Sequence, residues 1–516
     1  MSITTTTTTA TNTTQIERRW DAAETAPRTT LRLAILLNVA LAIWYFQWLL
    51  DVDRAAILPL YVALIAAEVF NLFQGGSFWW TVWHDRSHGR APAHVGPVPT
   101  VDVFIPVYNE PLDVVRPTVE AATRLTGAEI RVHLLDDGDS PAMERMARRL
   151  GVGYIRREQH EGAKAGNINH ALGRTDGELV AIFDCDHVPD EEFLEATIGH
   201  FAEPGVAFVQ TPQFYGNAAD SPIAEASARQ QELFFGVIGR GKASQGAMFC
   251  CGTNVVFRRA ALDDVGGFPE DSLTEDFALS VRMHERGWKS EYVSEVLAVG
   301  LAPEDMASYV SQQGRWAQGC LSGIPTVLRS KLPMRTRLQY LVSSTYFLTG
   351  WTVLLYMLLP IVRLLFGWQP LGALDTDEFI IHFGPYFVSS LATVAVASSG
   401  VFGFSSFALS SATFGVHVKA LVRVILRRRG SFVVTPKHGA SGRQLRPIAP
   451  TIAFIVLLAT AIVVGIARDP SPSTFNNVAY AGLHLVVLCC GAWPALVGQA
   501  EQDRTLHAVD TGRLAA

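Results

Sequence analysis

Apolar residues follow two rhythms along this chain. In the first they run almost unbroken for about twenty residues, the length needed to cross a bilayer as a helix. Such runs fall at 31–50, 56–74, 339–362, 378–399, 448–467 and 477–497, which predicts six transmembrane helices. In the second, between about 97 and 330, short apolar runs alternate with amphipathic stretches. "TVDVFIPV", "IRVHLLD" and "ELVAIFD" read as strands, and "PLDVVRPTVEAATRL", "PAMERMARRLG" and "KAGNINHALGR" as the helices between them. Strands alternating with helices imply an α/β domain on a mainly parallel sheet, inserted between the membrane segments. One further stretch, "SATFGVHVKALVRVILRRRG", has arginines crowded at one end and predicts an interfacial amphipathic helix.

Composition sharpens this picture. Of 516 residues 49% are hydrophobic and only 17% charged. Lys and Arg collect before the first run, after the second, before the third, and between the fourth and fifth, so the central domain and both termini are expected in the cytosol of a multi-pass plasma-membrane protein. The Thr-rich start reads as disordered and lacks a cleavable leader, which leaves the first span as an anchor. A net charge of −6 disfavours nucleic acid as partner. The six cysteines show neither a disulfide frame nor zinc spacing.

In an open α/β sheet ligands bind beyond the carboxyl ends of the strands. There this sequence gathers acids: Glu110, then Asp136, Asp137 and Asp139, then Asp184 and Asp186. In "DCDH" the two aspartates alternate with Cys185, so both reach one cation while the cysteine points away. The plainer reading is a pair of solvated acids at a turn. "DDGD" is equally at home as an ordinary turn or as a set of acceptors for a base or ribose. Lys164 opens a helix after a Gly-containing turn, which suits a diphosphate as well as a surface lysine. In "LTEDFALSV" Thr274 suits an N-cap, while Glu275 and Asp276 offer one acid more than capping needs and so a general base. Gln312, Arg315 and Trp316 share one helical face. They form either an interfacial surface or a site with a flat ring, an amide and a guanidinium.

Taken in order, D-D-G at 136–138, D-C-D-H at 184–187, F-C-C-G-T at 249–253, T-E-D at 274–276, Q-x-x-R-W at 312–316 and F-x-V-T-x-K at 432–437 resemble the processive family 2 glycosyltransferases, in particular the bacterial cellulose synthase catalytic subunits. The resemblance implies a GT-A fold over 96–330, after a tail at 1–30 and two transmembrane helices with an interface segment at 31–95. Four further helices with an interfacial helix and a gating loop near 430–440 would occupy 331–500, and a cytosolic tail 501–516. It further implies inverting transfer from a UDP-sugar, UDP-glucose above all, onto a growing β-1,4-glucan that leaves through the membrane. Asp136 and Asp137 would bind the uridine part, and Lys164 and Arg315 the diphosphate. Asp184 and Asp186 would hold Mg²⁺ or Mn²⁺, and Asp276 would act as base beside Glu275 and Asp186. Cys251, Gly252, Thr253, Gln312 and Trp316 would line the acceptor site, and Phe432, Val434, Thr435 and Lys437 would form the gating loop over the nucleotide. An accessory subunit on the outer face is a further expected partner. The family's PilZ domain is not expected, nor control by cyclic diguanylate through it. The motifs leave open a 1,3- or mixed-linkage glucan, a mannan, an N-acetylglucosamine polymer, or transfer of a single sugar to a lipid.

Overall fold

The computed structural model describes residues 28–85, 89–372, 376–428 and 442–497. The gating-loop residues Phe432, Val434, Thr435 and Lys437, and the tail at 501–516, lie outside them, as does the amino-terminal tail up to residue 27. The described residues open with α1 (Arg28–Leu49) and α2 (Leu58–Trp83). Where the apolar run suggested an end at 74, α2 continues through Gly75 and Gly76 to Trp83. Packing is the reason: Trp79 and Val82 bury against Ile35 of α1, and the Trp79 indole N–H donates to Asn38 Oδ1 at 2.9 Å.

The α/β domain follows as β1 (Thr100–Val107), α3 (Leu112–Ala122), β2 (Glu129–Asp136), α4 (Pro141–Leu150), β3 (Gly153–Arg156), α5 (Ala163–Leu172) and β4 (Leu179–Ile182). Its second half runs β5 (Val188–Pro189), α6 (Phe193–Thr197), β6 (Val206–Gln210), β7 (Phe214–Tyr215), α7 (Pro222–Leu233), α8 (Arg240–Ala243), β8 (Val255–Arg258), α9 (Arg259–Val265), α10 (Glu275–Glu285), β9 (Lys289–Tyr292) and β10 (Ala298–Gly300). Seven strands form one sheet in the order β3-β2-β1-β4-β8-β6-β9, and β5, β10 and β7 form a second. The large sheet is mixed but mainly parallel, as expected, with β8 antiparallel to both β4 and β6. Strand period two sorts β1 onto two cores. Val101, Val103, Ile105 and Val107 pack with Val115 and Val119 of α3 and Met143 and Met146 of α4, while Phe104 packs on the other face with Ile168 of α5 and Leu279 of α10.

The long helix α11 (Met306–Arg329) joins this domain to α12 (Met334–Thr345), α13 (Thr349–Phe366), α14 (Thr376–Ala397), α15 (Phe404–Ala412), α16 (Phe414–Ile425), α17 (Ala449–Arg468) and α18 (Pro472–Val497). Among the described residues six helical segments are long and apolar enough to cross a membrane: α1, α2, α12 with α13, α14 from Glu378, α17 and α18. The pair α15–α16, bent by 43°, meets that test only when its two halves are taken together. The stretch expected at the interface, which starts at Ser411, thus falls on the second half of a bent helical pair. Its second helix, α16, packs Ala420 beside Ala317 and Leu321 of α11. Polar contacts tie the apolar helices to one another: the Asn38 amide donates to Ser389 Oγ and Ser390 Oγ of α14 at 2.9 and 2.8 Å.

Candidate active site

Beyond the carboxyl ends of β1, β2 and β4 lies a cavity of about 670 Å³. Asp137 reaches it from the end of β2, Asp184 and Asp186 from the end of β4, and Lys164 from the first turn of α5. Cys251 and Gly252 enter from the segment before β8, Glu275 and Asp276 from the first turn of α10, and Gln312, Arg315 and Trp316 from α11. Residues spread over nearly 180 positions of sequence thus face one space.

The segment carrying F-C-C-G-T is held by its surroundings. Cys251 N donates to Gln210 Oε1 at 2.8 Å, and Gln213 Nε2 donates to Cys251 O at 2.7 Å. Gly252 has φ +83, and a Cβ there would lie 3.0 Å from Asp276 Oδ2 and 3.5 Å from Lys164 Nζ. Only glycine meets both the left-handed backbone and that approach. Lys164 Nζ donates to Asp184 and, at 2.8 Å, to Gly252 O. Thr253 is fully buried and off the cavity wall. Its Oγ1 accepts from Asp184 N at 2.8 Å, so it fixes the loop that carries Asp184 and Asp186.

Burial raises the pKa of Asp276, and the negative charge of Glu275 adds to the effect. The Phe277 N–H at 2.7 Å, Lys164 and Arg315 pull the other way, and the outcome is about 7. For Lys164 burial opposes the ammonium, yet Asp184, Glu275 and Asp276 together hold its pKa above the ordinary lysine value. Asp184 mirrors this. Burial opposes its charge, but Lys164 and His187 keep its pKa below the usual carboxylate range. The cavity thus combines a lysine held cationic, together with Arg315, and a carboxyl poised to exchange its proton near neutrality.

Asp184, Asp186 and His187 each offer a ligand atom within 4.8 Å of the others. His187 is buried, and among the described residues neither ring nitrogen has a hydrogen-bond partner; Nδ1 stands 3.5 Å from Asp186 Oδ1. A buried, unsatisfied imidazole beside two carboxylates is a donor set that fits a divalent cation.

Besides Thr253, Asp136 takes another place. Asp136 is fully buried and does not line the cavity. Its carboxylate accepts from Gly138 N, Ser140 N and Tyr154 OH at 2.7, 2.8 and 2.8 Å, so the turn reading of "DDGD" describes this aspartate. Thr274 stands at the N-cap of α10 but makes no capping hydrogen bond. It packs instead under α11, where a Cβ on Gly319 would come within 2.4 Å of Thr274 Cγ2. Asp137 keeps its place, with both oxygens held by Arg157 at 2.6 Å and the pair almost wholly buried. His160, His187, Gln213 and Tyr215 also line the cavity and were not singled out by sequence. His187 is the one with a visible signal, standing directly after the D-x-D pair.

A family model described as glycosyl transferase family group 2 matches residues 179–405. Cellulose synthase 2 of Novacetimonas hansenii is 33% identical over 457 residues, 84% of this chain and 28% of its own length. A UDP-forming cellulose synthase catalytic subunit of Komagataeibacter sucrofermentans is 31% identical over 511 residues, 93% of this chain and 67% of its own. The chain belongs to the cellulose synthase family. This family member spans less than a third of the longer relatives such as that of N. hansenii and about two thirds of the separate catalytic subunit. Among solved structures, the mannosyltransferase PcManGT from Pyrobaculum calidifontis in complex with GDP-Man and Mn²⁺ matches with a TM-score of 0.54 at 16% identity, over 72% of this chain and 99% of that one. The cellulose synthase family member shares its fold, the GT-A architecture expected from the motifs.

Proposed function

We propose that this chain is an inverting, processive glycosyltransferase that polymerises β-1,4-glucan from UDP-glucose and passes the product across the plasma membrane. The observation that carries the reading is the meeting of Asp137, Lys164, Asp184, Asp186, Asp276, Arg315 and Trp316 in one cavity. The α/β domain, about residues 96–330, faces the cytosol together with both termini, in keeping with the placing of Lys and Arg.

The uridine end of the donor lies against Asp137, whose carboxylate Arg157 fixes by a two-point contact. The near-complete internal pairing of Asp136 gives it a supporting part in shaping that loop. Lys164 and Arg315 oppose the charge that develops on the departing diphosphate. Asp184, Asp186 and His187 would hold Mg²⁺ or Mn²⁺, which when bound adds positive charge beside the phosphates. Asp276 accepts the proton of the acceptor hydroxyl as that oxygen attacks the anomeric carbon from the face opposite UDP. The bond to phosphate breaks as the new bond forms, so an α-linked donor yields a β link, with UDP as leaving group. Glu275 helps hold Asp276 near neutrality in pKa. Gln312, Cys251 and Gly252 border the chain end, which stacks on Trp316, and Thr253 acts through the loop it braces. Phe432, Val434, Thr435 and Lys437 would close over the nucleotide, and a subunit on the outer face would receive the polymer.

Purified protein given UDP-glucose, UDP-N-acetylglucosamine and GDP-mannose in separate labelled reactions tests this. Long product from UDP-glucose, degraded by a β-1,4-glucanase and untouched by a β-1,3-glucanase, is expected. Polymer from another donor, or of the other linkage, would overturn the assignment.

A further inference from the structure

A second cavity, of about 310 Å³, lies between α3 and α4. Arg116 of α3 and Arg145 and Arg149 of α4 border it, over a floor that includes Leu112 and Met146. Arg145 and Arg149 are one helical turn apart, so two like charges face the same groove and repel. None of the three arginines has a salt bridge or hydrogen bond among the described residues, although each is exposed enough to reach one. Other arginines of the α/β domain and its approach are paired: Arg90 with Glu192 and Glu295, Arg124 with Glu191, Arg131 with Asp176. Arg148, next in sequence to Arg149, is paired with Glu144 on another face of α4. Among the described residues Glu120 is the single acid bordering the groove, which leaves it with two net positive charges. Unpaired guanidiniums at a concave site over an apolar floor are the arrangement that recognises phosphate by two-point hydrogen bonding.

We propose that the α3–α4 groove is a binding site, separate from the donor cavity, for a phosphorylated ligand whose phosphate is held by Arg116, Arg145 and Arg149. The apolar floor suits the body to which the phosphate is attached. The ligand reaches it either as a free phosphorylated small molecule or as the headgroup of an anionic lipid. Both helices also lead back to the donor cavity. Glu110, two residues before α3, lines that cavity, and the loop before α4 touches the loop before α3, where a Cβ on Gly138 would lie 2.6 Å from Asn109 Oδ1.

The test is equilibrium binding of labelled pyrophosphate to the full chain in phosphatidylcholine nanodiscs, with saturating UDP to fill the donor cavity. One UDP-insensitive site is expected. Its affinity should fall at least tenfold in R145E/R149E and in R116E, fall again as salt is raised, and stay unchanged in R148A. Unaltered thermal unfolding of the variants would show that the fold is intact. Absence of UDP-insensitive binding, or equal binding by wild type and R145E/R149E, overturns the proposal. Repeating the titration in phosphatidylglycerol nanodiscs separates the sources. Loss of pyrophosphate binding places a lipid headgroup in the groove, and retention places a soluble ligand there.

Discussion

Gly252 is a close approach within the candidate site, because its backbone is left-handed and its missing side chain leaves room for Asp276 and Lys164. Gly252→Ala should strain the left-handed backbone and shift the Asp276 carboxylate, while Lys164 Nζ at 3.5 Å stays in ordinary contact. A misplacement of about 1 Å costs about 10²-fold in rate, so this smaller shift should cost less than that, and initial-rate assays should show the loss mainly in kcat. Asp276 has its pKa lifted to about 7. With Asp276 as the proposed base, its ionised form would accept the proton, so kcat/KM should rise with pH and level off above about 7. Asp276→Asn should remove about 10²- to 10⁴-fold of the rate. The same shift bears on stability with a fixed sign. The folded state holds this proton more tightly than the unfolded chain does, so stability falls as pH rises from the ordinary carboxylate range to about 7 and is constant beyond. Asp276→Asn should therefore raise the unfolding temperature at pH 8, and the gain should vanish near pH 4. Equal gains at both pH values would count against the shift.

Between elements, the decisive contact is α11 crossing the first turn of α10. Gly319 permits it, since a Cβ would strike Thr274 at 2.4 Å, whereas a Cβ on Gly323 meets nothing nearer than Phe277 at 4.0 Å. The matched pair Gly319→Ala and Gly323→Ala separates this contact from helix propensity. Polymer synthesis should fall at least tenfold in the first and stay near wild type in the second. This scale also shows what was legible in the sequence. Gln312, Arg315 and Trp316 could be placed on one face because helix spacing is local, and Asp184 and Asp186 at a strand end because an apolar run precedes them. Asp136 departed because two backbone N–H groups a few residues on captured its carboxylate, a competition built into "DDGD" that composition leaves balanced. His160, Gln213 and Tyr215 lie in loops or a two-residue strand whose course depends on distant packing. One such loop is set by positive φ at both Gly162 and Ala163, which no periodicity reveals. The overrun of α2 past Gly75 and Gly76 is of the same kind, being decided by the partner helix.

For the molecule as a whole, the site and the apolar helices are one assembly. Trp316 packs with Phe347, between α12 and α13, and with Ala420 of α16, so the wall of the cavity belongs also to the helices that follow it. Polymerisation coupled to passage through the bilayer is the central claim. The most direct measurement uses proteoliposomes with the α/β domain outward, supplied with labelled UDP-glucose and Mn²⁺. Labelled polymer should collect inside, resist added β-1,4-glucanase until detergent opens the vesicles, and be missing with Asp276→Asn. Polymer open to the glucanase from the start, or label confined to a lipid carrying a single glucose, would contradict it.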